Sequence, residues 1–158
     1  MPVISLIQNT SIDIYTDTSL HTNSKTGCCA IYIPQLKTEL TFPPFLPCSS
    51  TNLELQAIFK AIYLNISYQN LNIYTDSLSA IHSITNFNFN NKSKVLKSPT
   101  FTISNAIYII LNIRKKLNLT TNFFHVYSHL LDSPNLNQSQ IIKLEKMKNL
   151  YKNKFLII

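Results

Sequence analysis

From Ser11 to Asp17 the side chains alternate, with Ile12, Ile14 and Thr16 on one side and Asp13, Tyr15 and Asp17 on the other. Period two of this kind predicts a half-buried strand. The sole glycine, Gly27, opens a second apolar run from Cys28 to Ile33, and Pro34-Gln35 turns the chain into a third from Leu36 to Phe42. Three short strands with tight connections predict an antiparallel meander. Pro43, Pro44 and Pro47 then force an extended loop.

Beyond the loop the period changes. Ser49-Ser50-Thr51 is a helix start, Glu54 falls in its first turn, and Leu55, Ile58, Phe59, Ile62 and Ile66 lay one apolar stripe. A strand from Leu71 to Thr75 follows, then a second helix beginning at Ser77-Leu78-Ser79-Ala80-Ile81. Strand, helix and strand in this order build a parallel pair through a right-handed crossover. Asn86 to Ser98 is polar and carries Lys92, Lys94 and Lys97, either a solvated loop or a patch that contacts phosphate. A long helix from Phe101 to Leu117 is apolar at Ile103, Ile107, Ile110 and Leu111 and ends in Arg114-Lys115-Lys116, cations that suit a helix carboxyl end. A fifth strand, Asn122 to Tyr127, leads to Ser128-His129 and Asp132, and a last helix sets Ile141, Leu144 and Met147 against a lysine-rich face.

At 158 residues and 45% apolar the chain has the size and composition of one folded domain. No run reaches the ~20 apolar residues of a membrane span, and Met1 to Ile7 lack a basic secretory leader. An intracellular location, nucleus or cytosol, is the expectation. Cys28, Cys29 and Cys48 read as reduced thiols. The net charge of +7 favours a polyanionic partner, while the seven acids are too few to be decoration.

Two of those acids end a repeated tetrapeptide, Ile14-Tyr15-Thr16-Asp17 and Ile73-Tyr74-Thr75-Asp76. If each acid is the last residue of its strand and the two strands lie parallel and adjacent, Asp17 and Asp76 converge at one rim and repel unless a cation sits between them. Two plainer readings compete. Asp76 is a good N-cap for the helix that follows, and Thr51-x-x-Glu54 has the spacing of a capping box.

Taken together, Tyr15-Thr16-Asp17 with Ser19, the meander, Asn52-Leu53-Glu54, Tyr74-Thr75-Asp76-Ser77 and Val126-Tyr127-Ser128-His129 resemble the ribonuclease H-like superfamily. The resemblance is strongest to type 1 ribonuclease H domains, including those of retroelements, and spans nearly the whole chain. It implies an α/β fold over residues 1–158: a five-stranded mixed sheet, three antiparallel strands and then parallel ones, flanked by helices. It implies a nuclease that cuts the RNA strand of an RNA/DNA hybrid, with Asp17, Glu54, Asp76 and His129 as catalytic residues. Asp17, Glu54 and Asp76 would be the metal ligands, with Asp132 a candidate for a fourth and Asp13 either a spectator or a poor substitute ligand. Two magnesium ions about 4 Å apart, or manganese as a substitute, are the implied cofactors. Ser19, Asn52, Ser77, Lys92, Lys94 and Lys97 are the implied nucleic-acid contacts; a monomer is the default and no membrane is involved.

The chain departs from the family pattern at two places. Thr18 stands where the family has glycine, which predicts a shifted local turn. The family's fourth acid lies well past the histidine, whereas Asp132 follows His129 by three residues. A domain lacking its terminal helix is therefore expected, and a remnant that binds nucleic acid without turnover is the alternative function. Transposases and integrases share the fold, but their glutamate comes last; here Glu54 lies between the two aspartates. A non-enzymatic α/β domain is the remaining reading.

Overall fold

The computed structural model of the chain describes residues 8–21, 26–45, 49–87 and 100–126. Five strands form one sheet: β1 (Gln8–His21), β2 (Thr26–Ile33), β3 (Thr38–Phe42), β4 (Tyr68–Thr75) and β5 (Thr120–His125), in spatial order β3-β2-β1-β4-β5. β1 with β2 and β2 with β3 are antiparallel, whereas β1 with β4 and β4 with β5 are parallel. This is the mixed sheet that the sequence predicts. β3 begins at Thr38 instead of Leu36 because Pro34–Leu36 forms a 3-10 turn that Lys37 closes in the left-handed region, at φ 48°. β5 begins and ends two residues earlier than expected.

Three described helices supply the crossovers that parallel strands require: α1 (Ser50–Leu64) between β3 and β4, and α2 (Leu78–Thr85) with α3 (Phe101–Lys116) between β4 and β5. The two periods read from the sequence meet in one core. Ile12 and Ile14 of β1 and Leu71 and Ile73 of β4 pack with Leu55, Ile58 and Ile62 of α1 and Ile103, Ile107 and Ile110 of α3. Burying each such side chain contributes roughly 1.5–3 kcal/mol against the entropy of ordering it.

Alternation sends the intervening residues to the other face. There Tyr15, Tyr74 and Phe124, register partners on β1, β4 and β5, stack with ring centroids 4.6 and 5.0 Å apart. One step back along the strands, Asn122 Nδ2 donates to Asn72 Oδ1 and Asn72 Nδ2 to Asp13 Oδ1, both at 3.1 Å.

One expectation about the long helix is corrected. Lys115 and Lys116 are exposed at its end, but Arg114 is fully buried, and its donors turn inward to strand-end carbonyls instead of answering the helix dipole. Cys28 and Cys29 are free thiols, as expected. Among the described residues no helix is long and apolar enough to cross a membrane. Cys48, Lys92, Lys94, Lys97, His129, Asp132 and the expected last helix all lie outside the described residues.

Candidate metal centre

The site arises from a mismatch in strand length. Parallel pairing between β1 and β4 ends at Tyr15 with Tyr74; β4 stops at Thr75 and the chain turns at Asp76 into α2. β1 continues, paired only to β2, as far as His21. Asp17 is therefore not the last residue of its strand, as expected, but a mid-strand residue opposite Ala30 of β2. It sits where β1 has lost its β4 neighbour, and Asp76 is the first residue beyond the strand that leaves. The notch so formed lies at the carboxyl-terminal rim of the parallel strands.

Glu54 comes from α1, which packs on the helix-covered face of the sheet. The helix begins at Ser50, so Glu54 lies just past the first turn and not within it. One carboxylate oxygen from each of Asp17, Glu54 and Asp76 lies within 4.8 Å of the other two. Asp17 and Glu54 are buried and Asp76 is half-buried.

Neither capping alternative holds. Asn52 N donates to Ser49 Oγ (3.2 Å), making Ser49 the cap of α1, and Ala80 N donates to Ser77 Oγ (3.1 Å), making Ser77 the cap of α2. Serines satisfy the helix ends, so the acids have another reason to be there.

Glu54 is the most perturbed of the three. Its Oε1 accepts from the Thr18 hydroxyl, while its Oε2 is buried and has no hydrogen-bond partner among the described residues. Burial above all, then the Asp76 charge and, after the opposing donation from Thr18, the Asp17 charge together hold its carboxyl up at about 8. Asp17 Oδ1 accepts from the Thr18 backbone N–H at 2.8 Å. Hard oxygens, mutual repulsion and one buried oxygen with no donor together fit a divalent cation such as magnesium.

Asp13 stays out of the cluster. Gln35 Nε2 (2.9 Å) and Asn72 Nδ2 (3.1 Å) donate to its two oxygens, so it is a bystander on the sheet face. Of the expected nucleic-acid contacts, Ser19 follows Asp17 by two residues on β1, Asn52 lies in the first turn of α1 and Ser77 adjoins Asp76. The Thr18 expectation is also corrected: β1 runs through it in regular register with Cys29, and its φ is not positive.

One residue escaped the sequence reading. His125, the last of β5 and register partner of Thr75, sets Nε2 3.2 Å from the Asp76 carbonyl oxygen. A carbonyl only accepts, so Nε2 carries the hydrogen here. The available signal was its place at a strand end next to the end of β4, which a motif centred on His129 obscures.

A sheet of this order whose first strand, first helix and fourth strand bring acids to one rim defines a ribonuclease H-like domain. A family model described as RNase H matches residues 9–140, and the chain belongs to that family. Among solved structures it is similar to the crystal structure of RNase H1 from the halophilic archaeon Halobacterium salinarum NRC-1. The match has a TM-score of 0.56 and 11% identity and covers 74% of this chain and 86% of that one, a likeness of fold. No curated protein matches the chain.

Proposed function

We propose that the chain is a metal-dependent endonuclease that hydrolyses the RNA strand of RNA/DNA hybrids. The observation that carries this reading is the meeting of Asp17, Glu54 and Asp76 within 4.8 Å, with Glu54 Oε2 buried and without a donor. Family membership supports it, and so does the charge of +7, which suits a phosphate backbone.

Asp17, Glu54 and Asp76 would hold magnesium, in the two-ion form the family resemblance implies, with manganese as its substitute. When bound, the ions supply polarisation of the attacking water and charge stabilisation at the phosphate in an in-line displacement. The chain's own part is placement. The rigid sheet sets Asp17, the turn after β4 sets Asp76, and α1 brings Glu54 to both. Ser19, Asn52 and Ser77 each lie within two residues of an acid along the chain and are proposed contacts to the hybrid, whose 2′-hydroxyls distinguish its RNA strand. Asp132 as fourth ligand, His129 as the proton-moving residue and Lys92, Lys94 and Lys97 as phosphate contacts belong to this proposal.

The test is cleavage of an end-labelled hybrid by the parent protein and Asp76→Asn in magnesium. The expected result is cutting of the RNA strand by the parent and a loss on the order of 100-fold or more in the variant, the scale of losing one stabiliser of transition-state charge. Equal cutting by both refutes the assignment. Salt-sensitive binding of the hybrid with no cutting by either supports instead a domain that binds without turnover.

A further inference from the structure

We propose that Thr18 is a positioning residue that holds the Asp17 and Glu54 carboxylates in the geometry that receives the metal. The inference rests on the metal reading above and extends it to a residue outside the acid set.

β1 alternation puts Thr18 on the side of Ile12, Ile14 and Thr16, the side that α1 covers, one residue after Asp17 on the opposite side. Thr18 is thus the point where strand and helix acids can be tied together. Its backbone N–H donates to Asp17 Oδ1 at 2.8 Å, and its hydroxyl donates to Glu54 Oε1. The hydroxyl fixes one oxygen of a long, rotatable side chain and leaves the other, Oε2, as the buried oxygen without a donor. A ligand held in one rotamer binds with less entropy to lose, and a hydrogen-bonded carboxylate keeps its orientation as a ligand.

The strand geometry does not demand glycine here. Thr18 pairs in regular register with Cys29 and its φ is not positive. A side chain is therefore free to be chosen for what it donates. Glycine, the family residue implied by the resemblance, keeps the backbone contact to Asp17 and has no hydroxyl for Glu54.

The experiment compares Thr18→Val, Thr18→Ser and Thr18→Gly in the full chain, titrating manganese and following the free ion by its paramagnetic resonance signal. Melting of the metal-free proteins checks that each is folded. The parent and Thr18→Ser are expected to bind manganese within about twofold of each other, and Thr18→Val and Thr18→Gly about tenfold more weakly, the scale of one hydrogen bond to a charged group. In magnesium-dependent cleavage, the metal concentration for half-maximal rate shifts in the same order while the hybrid KM does not. If all three variants bind manganese like the parent, the role of Thr18 is wrong and the metal site stands. Equal weakening in Ser, Val and Gly variants makes side-chain shape the cause and also overturns the proposal. A parent protein that binds no manganese removes the metal reading itself.

Discussion

The two ends of the parallel strands handle buried charge in opposite ways. At the amino-terminal ends of β4 and β5, Arg114 reaches in from the end of α3, fully buried. Its Nε donates to Thr121 Oγ1 (2.7 Å), Nη1 to the Ile66 and Tyr68 carbonyls (2.6 and 2.9 Å), and Nη2 to those of Thr120 and Gln69 (2.8 and 3.5 Å). A guanidinium has five N–H donors, and all of them are used here. Roughly 25 Å away, at eight residues of strand, the other rim gathers three carboxylates and leaves Glu54 Oε2 with no donor among the described residues. A buried charge answered in full by its own chain holds the fold together. A buried carboxyl oxygen with no donor among the described residues is open to a ligand from outside, and that difference separates the rim, as the candidate site, from the arginine.

The comparison is broken most severely at the finished end. Arg114→Ala removes five hydrogen bonds, opens a cavity and withdraws a charged donor from four carbonyls at the strand starts, a loss on the order of 3–5 kcal/mol. Burial lowers the Arg114 guanidinium to about 10, so it remains charged at neutral pH, and Arg114→Lys recovers only part of the loss because an ammonium lacks the planar fork. Urea unfolding measures both. A destabilisation under ~1 kcal/mol would show that the carbonyls find other donors and that this end is no more self-sufficient than the rim.

At the rim the same kind of substitution has the opposite sign. The Glu54 carboxyl is raised from 4.5 to about 8 in the fold, so between those values the folded chain keeps a proton that the unfolded chain has released. Metal-free stability accordingly falls as pH rises through that window, by up to a few kcal/mol, and is fully present only below about pH 4.5. Glu54→Gln removes this dependence and leaves the metal-free protein more stable than the parent at pH 8 by about 2 kcal/mol. It is also expected to abolish the magnesium-dependent rise in melting temperature expected of the parent. Thermal melts from pH 5 to 8, with magnesium and with chelator, check both; a parent melting point that rises with pH in chelator contradicts the assigned burial cost.

How much of this was legible follows the same division. The core was, because Ile12 and Ile14 on one side of Tyr15, and Leu55, Ile58 and Ile62 along α1, obey periods set by backbone geometry alone. Asp17, Glu54 and Asp76 were legible through a repeated tetrapeptide and their order, not through local rules, which would have made two of them caps. The structure settles that competition with Ser49 and Ser77. Arg114 was misread because a cation in the last helical turn has an adequate local explanation; what buries it are carbonyls from Ile66 to Gln69 and at Thr120, which only the assembled sheet brings near. The role of Thr18 depends likewise on a contact 36 positions along the chain.

The smallest effect belongs to His125, which blurs the contrast because there, as at Thr18, the rim uses a hydrogen bond of the protein's own. Its Nε2–H holds the Asp76 carbonyl at 3.2 Å, at the step where β4 ends and the chain turns into α2. His125→Phe keeps the ring in place and removes that donor. One neutral hydrogen bond to a part-buried carbonyl contributes about 1 kcal/mol, so urea unfolding is expected to shift by about that much. Cleavage of the hybrid is expected to fall roughly threefold, through a looser Asp76 backbone and without loss of a ligand, with manganese affinity reduced in the same proportion. A fall of 100-fold at unchanged manganese affinity would instead place the imidazole on the reacting atoms, and the divide between a self-satisfied end and an unanswered one would then have to include a histidine on its catalytic side.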